Sequence, residues 1–131
     1  MREIKFRGKR LDNGEWLYGS LVILNGRYFI FDDANRHEVD PTTVGEFTGL
    51  KDKNGKEIYE GDVIRSPLSE DKTRPHRIFY HTGNAAFMGA LVDRKELCYL
   101  RLDQDWIYKF GKEVIGNIHD HNPEFLKGGE Q

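Results

Sequence analysis

The sequence predicts a mainly β protein of bent or coiled antiparallel sheets, with a small barrel-like part and a short C-terminal helix. Tight-turn pairs recur along the chain at Asn13-Gly14, Asn25-Gly26, Asn54-Gly55 and Gly83-Asn84. The runs between them are short and rich in β-branched and aromatic residues, the grammar of hairpins rather than of long helices. Fourteen glycines against four prolines favour many turns over long linkers. A strand-and-turn chain of this size folds as a small barrel or as strongly bent sheets.

The first run, Ile4-Lys5-Phe6-Arg7, alternates apolar and basic residues, as a strand with one buried face does. The strongest hairpin spans Glu15 to Asp32 around Asn25-Gly26. A two-residue turn fixes its register, placing Leu24 opposite Arg27, Ile23 opposite Tyr28, Val22 opposite Phe29 and Leu21 opposite Ile30. One side then carries Leu21, Ile23, Tyr28 and Ile30; the other carries Trp16, Tyr18, Val22, Phe29 and Phe31. With both sides apolar, the ribbon is expected to be central or covered. Gly19 and Ser20 mark a bulge or bend within it. The polar stretch from Asp32 to Thr43 reads as irregular chain and as the internal boundary.

In the segment after that boundary, Asn54-Gly55 suits a type I′ turn, which needs positive φ at both residues. Glu60-Gly61-Asp62 reads as a second turn before the apolar strand start Val63-Ile64. Ser66 to Pro75 is a charged loop with Pro67 and Pro75 at its ends, a candidate for disorder or for ordering on binding. A second hairpin, Arg77 to Leu91 around Gly83-Asn84, places Ile78, Tyr80 and Phe87 on one face. Its other face carries Phe79, His81, Ala86 and Met88. Leu97 to Leu102 fits a strand or the start of a helix, and Asp103 to Phe110 a helical turn stopped by Gly111. Val114 to Ile118 reads as a last strand. Asn122-Pro123-Glu124 then caps and opens a short helix through Leu126. The faint echo between residues 13–22 and 54–63 is shared hairpin grammar and no repeat.

A chain of 131 residues suits a single domain, here 1–127, with a frayed tail at 128–131. Within it the sequence predicts an N-terminal ribbon subregion of about 1–43 and a barrel-like subregion of about 44–127. Hydrophobic residues make up 37% and charged residues 32%, so the core is modest and relies on aromatic rings. The net charge of −2 gives no global field toward nucleic acid or membrane. Cys98 is the single cysteine, so no intrachain disulfide forms, which fits a reducing cytoplasm. Arg2, Lys5 and Arg7 precede no apolar run of the secretory kind, and no run approaches the roughly 18 residues of a membrane span.

Three motifs in order carry a family resemblance. They are Arg2-Glu-Ile-Lys-Phe-Arg7, the segment Phe47-Thr-Gly-Leu-Lys-Asp-Lys-Asn-Gly-Lys-Glu-Ile-Tyr-Glu-Gly-Asp-Val63, and Val114-Ile-Gly-Asn-Ile118 with Asn122-Pro-Glu124. Together they resemble the YopX family of small bacteriophage and prophage proteins. The resemblance implies a mainly β fold of bent sheets with a barrel-like part, and a bacterial host cytoplasm as the setting. Gly49, Asn54, Gly55, Tyr59, Gly61, Asp62, Gly116 and Asn117 are its signature positions, read as structural. It carries over no catalytic or binding residue. One departure is His119-Asp120-His121, where the family more usually has an aromatic and an acidic residue.

Standard phosphate loops, dinucleotide fingerprints, zinc helices and nucleophile elbows are absent from the sequence. No cofactor is expected. His119 and His121 can face one way on a strand, but a metal would need a third ligand such as His81 from elsewhere. Glu57, Glu60 and Asp62 offer acids near a turn, with backbone N–H acceptance by Asp62 the simpler role. Cys98 among Leu97, Tyr99 and Leu100 reads as a small hydrophobe. Arg7, Lys9 and Arg10 near Trp16 and Tyr18 form the best nucleic-acid candidate, cations beside stacking rings. Lys72, Arg74, His76 and Arg77 beside Phe79 and Tyr80 form a second. The favoured function is a non-enzymatic accessory that contacts a host or phage protein, with self-association suggested by the two-faced ribbon. A small nucleic-acid-binding module is the alternative.

Overall fold

Asn25 and Gly26 both take positive φ, 51° and 77°, as the twist of a two-residue hairpin turn requires. They join β2 (Trp16–Leu24) to β3 (Arg27–Asp32). The pairing is Leu24 to Arg27, Ile23 to Tyr28, Val22 to Phe29 and Leu21 to Ile30, the register that the turn dictates. This computed structural model describes residues 3–33, 35–66, 75–92 and 99–120, with backbone alone at 99–101.

The first half of β2 has a different partner. β1 (Phe6–Lys9) pairs with it from Lys9 opposite Trp16 to Phe6 opposite Gly19. From Ser20 onward the partner is β3. The hand-over falls on the Gly19-Ser20 pair that the sequence marks for a bend. A Cβ on Gly19 would lie 2.0 Å from the Phe31 carbonyl oxygen, so only glycine fits there.

The stretch 32–43, expected to be irregular, contains a strand instead. β4 (Asn35–Val39) pairs with β3 through all five residues. Its polar sequence conceals it because it has one neighbour in the sheet order and keeps Asn35 and Arg36 in water, while Val39 alone is fully buried. Asp40 then caps a 3₁₀ turn at Pro41–Thr43, its Oδ1 accepting the Thr42 N–H at 3.0 Å. The end of β4 also meets the end of β1. Arg10 and Val39 form a bridge, Asp40 N–H donates to Lys9 O (2.8 Å), and Leu11 N–H donates to Glu38 O (3.1 Å). Strands β1 to β4 therefore roll until the end of the first touches the end of the fourth, and among the described residues the sheets do not close into a barrel.

The chain divides into two compact units, 1–49 and 50–131. In the first, β5 (Gly45–Lys51) joins β1 on its other side through Gly45–Arg7 and Glu46–Phe6. Phe29, Ile30, Val39 and Phe47 are its buried apolar residues. The opening strand differs from its expected form: Ile4 precedes it and is 64% exposed, whereas Arg7 is 5% exposed. Pairing on both edges places Arg7 inside the sheet, with its guanidinium over the Trp16 ring.

The second unit contains β6 (Glu57–Tyr59), β7 (Asp62–Arg65), β8 (His76–His81), β9 (Ala86–Leu91), β10 (Tyr99–Arg101), α1 (Gln104–Lys109) and β11 (Glu113–Asn117). The two sheet orders are β4-β3-β2-β1-β5-β6 and β10-β9-β8-β7-β11. The β8–β9 register matches expectation, with Tyr80 opposite Phe87 and His81 opposite Ala86. Its turn does not: Thr82–Asn84 form a 3₁₀ turn and Ala85 takes the positive φ of 49°. Of the two readings of residues 97–102, strand holds at 99–101. Asp103 caps α1 by accepting the Trp106 N–H (2.8 Å), and Gly111 at φ 62° follows its end. Ile58, Ile64, Ile78, Phe87, Leu102 and Ile107 form the core, with Leu50, Trp106 and Val114 packed on it. The helix expected at 122–126, the tail at 128–131, the bulk of the 66–75 loop and Cys98 lie outside the described residues.

Candidate functional site

Cross-strand pairing puts the first basic–aromatic candidates on one face of the β1–β2 ribbon. Lys9 is opposite Trp16 and Arg7 is opposite Tyr18. Arg7 Cζ lies 4.5 Å and Lys9 Nζ 5.3 Å from the Trp16 ring centroid. Contacts of this kind contribute about 0.5–2 kcal/mol each, and a base stacking on Trp16 would compete with them. Arg10 is engaged elsewhere: its Nε and Nη2 donate to Asp12 Oδ1 and Oδ2 at 2.9 and 2.7 Å. That fork holds the Asp12 carboxyl below the usual range and raises Arg10. Tyr18 is 48% exposed. In the second basic stretch, His76 is buried with its ring edge-on to Trp106, and Arg77 Cζ sits 5.1 Å from the Phe79 centroid. Lys72 and Arg74 lie outside the described residues.

The signature segment is a set of backbone anchors. Gly49, Gly55 and Gly61 have φ of 87°, 84° and 91°. Asn54 does not share the positive φ, which corrects the type I′ expectation. Gly55 N–H donates to Asp52 O (3.0 Å) and Asp52 N–H donates to Lys56 O (2.8 Å), which closes a three-residue loop with glycine last. Asp52, not singled out by sequence reasoning, is the centre of this loop at 1% exposure. Its Oδ1 accepts the N–H groups of Asn54 (2.8 Å) and Lys56 (2.9 Å), and its Oδ2 that of Val114 (3.0 Å). The available signal was an Asp three residues before a Gly, the two ends of a type I turn. Asp62, 2% exposed, accepts the Tyr59 N–H on Oδ2 (2.8 Å), and Tyr59 Oη donates to Glu57 Oε1 (3.0 Å). Glu57 and Glu60 are half-buried. Just after the β11 irregularity between Val114 and Gly116, Asn117 Oδ1 accepts the N–H groups of His119 and Asp120, and its Nδ2 donates to Asp120 Oδ2.

His81 Nδ1 accepts the Asn84 N–H within the β8–β9 turn (3.1 Å), His119 follows the Asn117 turn, and His121 lies outside the described residues. Among the described residues no three His, Cys, Asp or Glu side chains converge on a metal position, and no helix is long and apolar enough to cross a membrane.

Large apolar side chains do reach water on the hairpin. Ile23 is 52% and Leu24 48% exposed, immediately before the Asn25-Gly26 turn. Being consecutive, they lie on opposite faces of the strand, so the end of the ribbon is apolar on both sides.

The fold is that of a small antiparallel β protein whose signature glycines and carboxylates shape turns. The chain belongs to the YopX family: the sequence profile described as YopX protein matches residues 5–127. Among solved structures it is similar to protein EF1440 from Enterococcus faecalis, with 27% identity and a TM-score of 0.62. That similarity covers 96% of this chain and 99% of the other. No curated protein matches.

Proposed function

We propose that this chain is a phage- or prophage-encoded accessory protein that acts by binding another protein, with no reaction of its own. Family membership supports the setting. The observation that carries the binding mode is the apolar end of the β2–β3 hairpin, where Ile23 and Leu24 stand about half exposed beside a tight turn. A two-residue turn presents them with little backbone freedom to lose on docking. Both side chains are already half covered, so burying the rest contributes about 0.75–1.5 kcal/mol each, a part of the contact rather than the whole of it.

The test is capture from nuclease-treated host lysate with tagged chain, then titration of the captured protein, purified, against wild type and an Ile23→Ser, Leu24→Ser variant. A stoichiometric protein whose affinity falls at least tenfold in the variant is expected. No captured protein, or one bound equally by the variant, refutes the hairpin as the contact. If nuclease removes all bound material, the nucleic-acid alternative replaces this reading. Sedimentation of the same two proteins tests self-association, which the double substitution should abolish if a second copy is the partner.

A further inference from the structure

Where β1 rolls onto β4, a cleft of about 340 Å³ opens between Arg10, Leu11 and Asp12 on one side and Arg36, His37 and Glu38 on the other. Its charges are unequally committed. Arg10 is held by both oxygens of Asp12. Glu38 is held by Arg27, with Nη2 to Oε1 at 2.6 Å and Nε to Oε2 at 3.1 Å. His37 Nε2 lies 3.6 Å from Asp32 Oδ1. Arg36 differs: its Cζ lies 5.0 Å from the Phe29 ring centroid, and no carboxylate pairs with it among the described residues.

Phe29 is itself buried at 7% exposure, so this ring is a fixed support. A guanidinium packed on such a ring has little rotamer freedom left to lose, and its donors lie in one plane. That plane matches the two oxygens of a carboxylate, which arginine engages through paired N–H bonds. The neighbouring carboxylates are already neutralised by their own arginines, so they oppose an incoming anion less than their number suggests. Leu11, 57% exposed, supplies an apolar wall in the same cleft.

We infer that the cleft binds a free carboxylate carried beside an apolar group, as at the C-terminal residue of a peptide. Arg36 grips the carboxylate and Leu11 receives the side chain. This inference is independent of the hairpin contact, which uses Ile23 and Leu24.

The experiment is an amide-shift titration of the isotope-labelled full chain with N-acetyl-leucine and, separately, N-acetyl-leucinamide. The acid should give saturable shifts centred on residues 10–12 and 36–38, with a dissociation constant on the order of millimolar for so small a probe. The amide should bind at least tenfold more weakly. Arg36→Gln should abolish the acid response, and Arg36→Lys, which keeps the charge but loses the fork, should weaken it about fivefold or more. Wild-type spectra outside the cleft residues establish that both variants are folded. Equal shifts with acid and amide, unchanged binding by either folded variant, or no response in wild type overturns the inference.

Discussion

Replacing Asp52 tests whether the family signature is a structural clasp. The carboxylate is 1% exposed and accepts three backbone N–H bonds, two within its own turn and one from Val114. A hydrogen bond to a charged group contributes about 1.5–3 kcal/mol net, and a buried donor left unmet costs about 1–3 kcal/mol. Asn54 and Lys56 are exposed, so their amides regain water in Asp52→Ala. Val114 belongs to the core layer and its amide regains less. The expected loss is therefore about 3 kcal/mol, a large share of the roughly 5–15 kcal/mol typical of a domain. With a urea slope near 2 kcal/mol/M, the midpoint should fall by about 1.5 M. Asp52→Asn should lose about 2 kcal/mol, since its oxygen can still serve the turn while its NH₂ meets the Val114 N–H donor to donor. Asn54→Ala is the control, and because Asn54 avoids positive φ it should cost less than about 1 kcal/mol. Urea unfolding followed at Trp106, with hydrogen exchange at the Val114 amide, reads all three. The reasoning is refuted if Asp52→Ala lies within about 1 kcal/mol of wild type, or if Val114 keeps its protection in that variant.

The hand-over in β2 predicts that Gly19→Ala disrupts the hairpin, because the new Cβ would sit 2.0 Å from the Phe31 carbonyl oxygen. A loss above about 3 kcal/mol, with missing cross-strand contacts between Ser20 and Phe31, is expected; a variant as stable as wild type would contradict the geometry. Ile107→Ala, at a fully buried position on α1, should cost about 2–5 kcal/mol in chemical denaturation. Asp12 and Glu38 should titrate below ordinary carboxyls, because Arg10 and Arg27 hydrogen-bond their charged forms. With folded pKa values depressed, their contribution is present above the unfolded pKa and fades as pH falls through the folded one. Both groups face water, so added salt should shrink the shifts, and ordinary titration at low salt would show that the pairs do not persist in solution.

What was legible in the sequence depended on how local the deciding interaction is. The β2–β3 register follows from two residues, Asn25 and Gly26, whose φ values leave one way to continue the strands. The β8–β9 register was also recovered, but through different chemistry, since His81 and Ala85 shape that turn rather than Gly83-Asn84 alone. A connection of the same length yields the same pairing. β4 was missed because its case rests on the unfilled edge of β3, a tertiary fact that overrides the low strand preference of Asn-Arg-His-Glu. Arg7 was misplaced for a related reason: a basic residue on a strand reads as solvent-facing until a ring beneath it takes up the stem and guanidinium together.

The same contrast governs the functional residues. Gly49, Gly55 and Gly61 hold backbone angles that other residues resist, while Asp52 binds the amides of Asn54, Lys56 and Val114 and Asp62 that of Tyr59. A motif spent on backbone geometry identifies a fold and leaves partners unspecified, because the groups that make it recognisable have little capacity left for a ligand. Under the proposed binding role, discrimination between partners falls to side chains that the architecture does not consume. In this chain Ile23 and Leu24 at the hairpin end and Arg36 above Phe29 answer that description. None belongs to the signature, so the proposed contacts at these three positions can be changed by substitution without touching the turns.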